Sequence, residues 1–208
     1  MVKVYIAKTD DLNNDELYGK LYGMIPRERQ QRADRLFFRK DKNLCVAAGV
    51  ILKIALEKEG IQDFEIEYRE NGKPYLKENE IFFNLSHSDG VVMCAISNAD
   101  VGCDAEKVRE IDLSIAKRFF TESEFETLEK KETDEEKYDL FFRLWTLKES
   151  YMKATGYGFK LSPKNICINE TDFYFKEFDF GDGYKYAVCS KIDDFNGVEF
   201  LSFKERMI

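Results

Sequence analysis

The chain has one histidine, and no apolar run approaches the roughly 20 residues that a membrane-spanning helix needs. Its opening, "MVKVYIAKTDD", lacks the apolar core of a secretory signal, so a cytoplasmic protein with no membrane partner is expected. No two of its five cysteines (Cys45, Cys94, Cys103, Cys167 and Cys189) form a CxxC pair. An odd number lying mostly in apolar runs reads as buried, reduced thiols. Excess positive charge is missing as well. Thirty-two Lys and Arg against 40 Asp and Glu leave a net charge of −8, which argues against nucleic acid or a lipid surface as the partner.

The chain does have the means to build a core. Its 208 residues are 44% hydrophobic and 14% aromatic, enough for one large domain or two small ones packed together. Charge is unevenly spread. Residues 27–42, "RERQQRADRLFFRKDK", carry seven Arg or Lys against three acids, whereas residues 122–139 carry nine acids against three Lys. One end of an acidic molecule can therefore attract a small polyanion.

Periodicity predicts a strand in "VKVYIA", an amphipathic helix in "NDELYGKLYGMI", and helix from about Glu28 to Leu56. "FEIEYRE" alternates as a strand does, and "NG" turns the chain. "IFFNLSHSDGVVMCAISN" reads as a hairpin with "SHSDG" at its tip, and "SNAD" marks a boundary near residue 99. The second half has a related order. A strand at 101–105 precedes helical segments at 112–131 and about 136–154, then strands in "FYFKEFDF", "YKYAVCSK" and "EFLSF". The related order hints at an internal duplication. "KKETDEEK" reads as a solvated surface loop.

Four stretches could carry chemistry. In "VGCDAE", Asp104 and Glu106 share one face of a strand, where paired hard oxygens suit Mg²⁺; a strand end fraying into water is the alternative. In "FFRLWTLKESYMKATGYG", Trp145, Glu149 and Lys153 line one side of a helix, which also fits an aromatic anchor beside an exposed Glu–Lys pair. "FNLSHSDG" places His87 in a polar turn, where it can donate to a phosphate. A hydrolytic triad of Ser86, His87 and Asp89 is disfavoured, because sequence neighbours rarely converge and no nucleophile elbow is present. "ENGKPYL" puts Lys73 at a hairpin tip, a routine turn on its own.

The order of these features — basic helix, GKP, FNLSHS, GCDAE, then WTLKES with a following lysine — resembles the Sfp-type 4'-phosphopantetheinyl transferases over nearly the whole chain. The resemblance implies an α+β fold. Two similar α/β subdomains would be related by a pseudo-two-fold, with a cofactor cleft between them. Residues 1–99 would contact coenzyme A, and residues 100–208 would hold the metal and the catalytic groups. The implied reaction moves the phosphopantetheine arm of coenzyme A to a serine of an acyl or peptidyl carrier protein, and adenosine 3',5'-bisphosphate leaves. Such carriers serve fatty-acid, polyketide or nonribosomal-peptide biosynthesis.

By position, Asp104, Glu106 and Glu149 match the family's Mg²⁺ ligands. Either Glu149 or a metal-bound water would take the serine proton, and Lys153 would neutralise charge on the pyrophosphate. Ser86, His87 and Lys73 match contacts to coenzyme A phosphates, and Arg29 and Arg32 lie where the family reads the 3'-phosphate. Ala105 cannot supply a metal ligand, and Trp145 packs the helix. A monomer is expected. Two other functions fit parts of the pattern: a Mg²⁺-dependent nuclease or phosphodiesterase using the same acids, and a coenzyme A-binding module without catalysis.

Overall fold

The computed structural model describes residues 1–158 and 161–204. Its strands are β1 (Val2–Lys8), β2 (Ile66–Tyr68), β3 (Pro74–Leu76), β4 (Phe82–Ser88), β5 (Val91–Ser97), β6 (Val101–Lys107), β7 (Tyr174–Phe178), β8 (Tyr184–Ser190) and β9 (Phe195–Leu201). Its helices are α1 (Asp15–Met24), α2 (Arg27–Arg35), α3 (Arg39–Lys58), α4 (Ala116–Phe119), α5 (Glu122–Glu129) and α6 (Asp134–Thr155). The fold is α+β, as expected. One sheet runs β4-β5-β1-β9, a second runs β6-β8-β7, and β2 and β3 form a small hairpin.

Burial orders the layers. One face of the first sheet, through Tyr5, Phe83, Cys94 and Ile96, packs under α3 in a core that includes Val46, Val50, Ile51 and Ile54. The opposite face, through Val4, Ile6, Met93 and Ala95, packs against Cys103, Ala105, Tyr186 and Val188 of the second sheet. A third cluster joins α4, α5 and the first half of α6 through Ala116, Phe120, Leu128 and Phe141. Among the described residues, no helix is long and apolar enough to cross a membrane. Cys45, Cys94, Cys103 and Cys189 are buried free thiols, and Cys167 is exposed.

Four details differ from the periodicity. The helix expected over Glu28–Leu56 is broken at Leu36–Phe38, where Leu36 and Phe38 are extended, and α2 folds back along α3. The reversal lets the Arg29 Nε donate to the Cys45 carbonyl at 3.0 Å. Gly49 makes room for it: a Cβ there would lie 2.6 Å from Arg29 Cδ. The tip of the β4–β5 hairpin is only Asp89–Gly90, with φ of 36° and 95°, as a two-residue turn requires. Ser86, His87 and Ser88 therefore belong to strand β4 and not to the turn. The 112–131 segment is a short 3-10 turn followed by α4 and α5, divided where Thr121 and Glu124 form a capping box. Finally, β9 pairs parallel with β1. Sheet membership thus crosses the boundary near residue 99, because a strand of the second half completes the sheet of the first.

Candidate active site

Two edge strands meet at the site. On β6, Ala105 turns into the core between the sheets, so Asp104 and Glu106 take the other face. The outward N–H groups of β6 are satisfied by side chains of β4. Asn84 Oδ1 accepts from Cys103 N at 2.9 Å, Ser86 Oγ from Ala105 N at 3.3 Å, and Ser88 Oγ from Lys107 N at 3.2 Å. The same two hydroxyls donate to the acids: Ser86 Oγ to Asp104 Oδ1 at 2.7 Å, Ser88 Oγ to Glu106 Oε2 at 2.9 Å. A period-2 comb on one strand thereby aligns two carboxylates on its neighbour.

Helix α6 brings in the third acid. Thr133 and Glu136 form a capping box at its start, and Gly156, at φ 72°, ends it. Gly102 allows the helix to lie directly on β6, since a Cβ there would stand 2.1 Å from the Ser150 carbonyl oxygen and 2.3 Å from Ala154 N. At that depth Lys153 Nζ donates to Asp104 Oδ1 at 2.6 Å and to Ser86 Oγ at 3.0 Å. Trp145 stacks on Phe141 and meets Phe119 edge-on, which steadies the helix face that carries Glu149. On the far side, the fully buried Lys148 donates to the Pro163 and Ile166 carbonyls at 2.9 and 2.8 Å and pairs with Glu124 at 2.8 Å. Lys148 anchors the helix from behind.

Asp104, Glu106, Glu149, Lys153, Ser86 and His87 line one open cleft of about 410 Å³. Burial raises the Glu149 pKa first, and the negative charges of Asp104 and Glu106 raise it further against the opposing pull of Lys153. Glu106 is raised by burial and by Asp104, with Ser88 and Arg109 opposing. Burial lowers the Lys153 pKa, but Asp104 and its neighbours outweigh that and leave it raised. The His87 pKa is lowered by its surroundings and then by the charges of Lys153, Arg29 and Arg32.

The donor set suits a hard cation. Asp104 Oδ2 is buried without a hydrogen-bond partner, and the raised Glu106 and Glu149 would each be relieved by positive charge. Among the described residues, no three His, Cys, Asp or Glu side chains are gathered tightly enough to ligate one ion as they stand. Lys153 meanwhile holds the other oxygen of Asp104.

The remaining expected residues, Arg29, Arg32 and Lys73, are not among those that line this cleft. Arg29 and Arg32 line a separate cleft of about 310 Å³ with Gly49 and Tyr68. Lys73 is not brought to the acids. It is buried, and its amine donates to the Ala154 carbonyl at 2.5 Å and the Val101 carbonyl at 3.4 Å, with Asp100 at 3.6 Å. It thus ties the β2–β3 hairpin to the last turn of α6. Sequence reasoning passed over Ser88 and Lys148. The alternation Asn84, Ser86, Ser88 was the available signal for the first, and nothing local marked the second.

Three carboxylates and an ammonium in an open cleft fit phosphate chemistry of more than one kind. Comparison with known proteins narrows the class. Residues 100–198 match the 4'-phosphopantetheinyl transferase superfamily. The chain is 32% identical to 4'-phosphopantetheinyl transferase gsp of Aneurinibacillus migulanus, over 91% of this chain and 86% of the relative. It is 28% identical to 4'-phosphopantetheinyl transferase Sfp of Bacillus subtilis, over 98% and 99%. It is 38% identical to HetI of Nostoc, over 68% and 64%. The chain belongs to the 4'-phosphopantetheinyl transferase family, a family of transferases.

Proposed function

We propose that the protein transfers the 4'-phosphopantetheine arm of coenzyme A to a serine of an apo acyl or peptidyl carrier protein, with Mg²⁺ held by Asp104, Glu106 and Glu149. The observation that carries this reading is the buried, unpartnered Asp104 Oδ2 in a cleft shared with the other two carboxylates and Lys153. Bound there, Mg²⁺ would supply positive charge against the pyrophosphate oxygens.

The chain's own groups account for the rest. The serine oxygen attacks the phosphorus that bears the arm, and the P–O bond to the other phosphorus breaks. Glu149 stands at the cleft wall to accept the serine proton. Lys153, fixed by Asp104 and Ser86, neutralises charge on the departing adenosine 3',5'-bisphosphate. His87, Arg29 and Arg32 bind the phosphates at the nucleotide end. Lys73 acts as a positioning residue, because it fixes the end of the helix that carries Glu149 and Lys153. In this reading residues 1–99 mainly bind coenzyme A and residues 100–208 do the chemistry. The enzyme works as a cytoplasmic monomer, since one chain supplies both walls of the cleft.

The test is incubation of the purified protein with coenzyme A, Mg²⁺ and a panel of apo acyl and peptidyl carriers. We expect the mass of the phosphopantetheine group on a carrier serine, lost on chelation of the metal. No mass gain on any carrier would overturn the reading.

A further inference from the structure

Helix α6 carries two lysines that meet carboxylates, and they are held differently. Lys148 is shut in, with 1% of its side chain exposed, and meets two carbonyls as well as Glu124. Lys153 lines the open cleft with 27% of its side chain exposed, and its amine is held by Asp104 Oδ1 at 2.6 Å and the Ser86 hydroxyl at 3.0 Å. A lysine ammonium is a point charge on a flexible stem, so one that faces a cleft can change partners without repacking its surroundings. Asp104 does not depend on Lys153 for its orientation. Ser86 Oγ donates to the same Oδ1 at 2.7 Å, and the side chains of Asn84 and Ser88 fix β6 on either side. What Lys153 supplies is charge: Asp104 is 3% exposed, and a buried carboxylate without a counter-ion is costly.

We propose that Lys153 is an exchangeable counter-ion for Asp104, released when a pyrophosphate enters the cleft, so that coenzyme A and Mg²⁺ each strengthen the binding of the other; this rests on the transferase reading above. In the free protein two cations compete for one buried carboxylate, and Lys153 already holds it. A divalent ion entering alone must displace that ammonium or lie close to its like charge. A pyrophosphate entering alone meets three carboxylates and one ammonium, so repulsion outweighs attraction. Entering together, the anion takes Lys153 and the cation takes the acids, and each obstacle is removed by the other ligand. The Ser86 hydroxyl stays on Asp104 Oδ1 throughout and keeps the carboxylate in place. The coupling is reciprocal: the factor by which coenzyme A tightens Mg²⁺ equals the factor by which Mg²⁺ tightens coenzyme A.

A metal bridging the pyrophosphate would by itself couple the two ligands, so the decisive measurement is calorimetric titration of Mg²⁺ into the protein without coenzyme A. Lys153→Met removes the competing charge and should tighten Mg²⁺ about tenfold relative to wild type. The tightening by coenzyme A should shrink by about the same factor. In chelator the variant should melt below wild type, because Asp104 has lost its counter-ion, and Mg²⁺ should raise its thermal midpoint by more than it raises that of wild type. If Lys153→Met does not fold, Lys153→Gln keeps a donor for Asp104 without the charge and should tighten Mg²⁺ in the same direction, about threefold. A permanent structural ion pair gives the opposite result: its loss misplaces Asp104 and weakens Mg²⁺. Unchanged or weaker Mg²⁺ binding by the folded variant would therefore overturn the exchange and leave the transferase reading intact. A wild-type protein that binds no Mg²⁺, with or without coenzyme A, would overturn the metal assignment as well.

Discussion

The two long helices, α3 and α6, are similar in length and each lies on a sheet, yet they bury different chemistry. Helix α3 buries an almost wholly apolar set from Cys45 to Leu56, interrupted by Gly49. Helix α6 buries Thr146, Lys148 and Ser150 among its apolar residues and turns Trp145, Glu149 and Lys153 toward the cleft. Buried polar groups are tolerated only when each finds a partner. On α6 they do: Lys148 finds two carbonyls and Glu124, and Ser150 donates to the Leu147 carbonyl. One helix supplies the core and the other supplies the site, and the difference lies in whether the buried face is paired by contact area or by hydrogen bonds.

The largest separation between the helices should appear in turnover. Glu149→Gln should lower the rate of carrier modification by about 10²- to 10⁴-fold while the thermal midpoint barely moves. A near-wild-type rate would show that the α6 face is not the catalytic one. Next in size is Gly102→Ala. Its Cβ meets the backbone of α6, which cannot yield, so a loss of about 3 kcal/mol in denaturant unfolding is expected. Lys148→Ala leaves two carbonyls without their donor and should cost about 2 kcal/mol in the same measurement. The smallest effect belongs to α3. Gly49→Ala meets Arg29 Cδ at 2.6 Å and Ile25 Cγ2 at 2.7 Å, side chains that can shift where a helix backbone cannot, and helix propensity favours alanine, so a loss of about 1 kcal/mol is expected, less than for Gly102→Ala. On the proposed role of Arg29, coenzyme A affinity should still fall. If Gly49→Ala and Gly102→Ala proved equally damaging, the contrast between a yielding and an unyielding neighbour would be lost.

Much of the site was legible because it depends on local period. Two-residue alternation put Asp104 and Glu106 on one strand face, and four-residue spacing put Trp145, Glu149 and Lys153 on one helix side. What could not be read is tertiary. The comb of Asn84, Ser86 and Ser88 exists only because two edge strands happen to adjoin, so Ser86 looked like a turn residue when it is a strand residue holding a carboxylate. Lys73 read as a lysine at a routine hairpin tip, but its amine meets the end of a helix 81 residues further on. The break at Leu36–Phe38 was hidden by a continuous helical pattern, because the packing it allows, Arg29 and Ile25 over Gly49, is tertiary. The pairing of β9 with β1 joins opposite ends of the chain, a contact that no local pattern encodes.

That last pairing has a consequence for biogenesis. During synthesis β5 follows β1 and can join one edge of it, but the other edge of β1 stays bare until residues 195–201 arrive. A bare, apolar strand edge is a template for mispairing with other chains, and contacts of long sequence separation form late. Until β9 arrives, β1 presents an unpaired edge of that kind. A chain that stops before Phe195 would keep every residue that lines the candidate cleft and still leave β1 unpaired on that side.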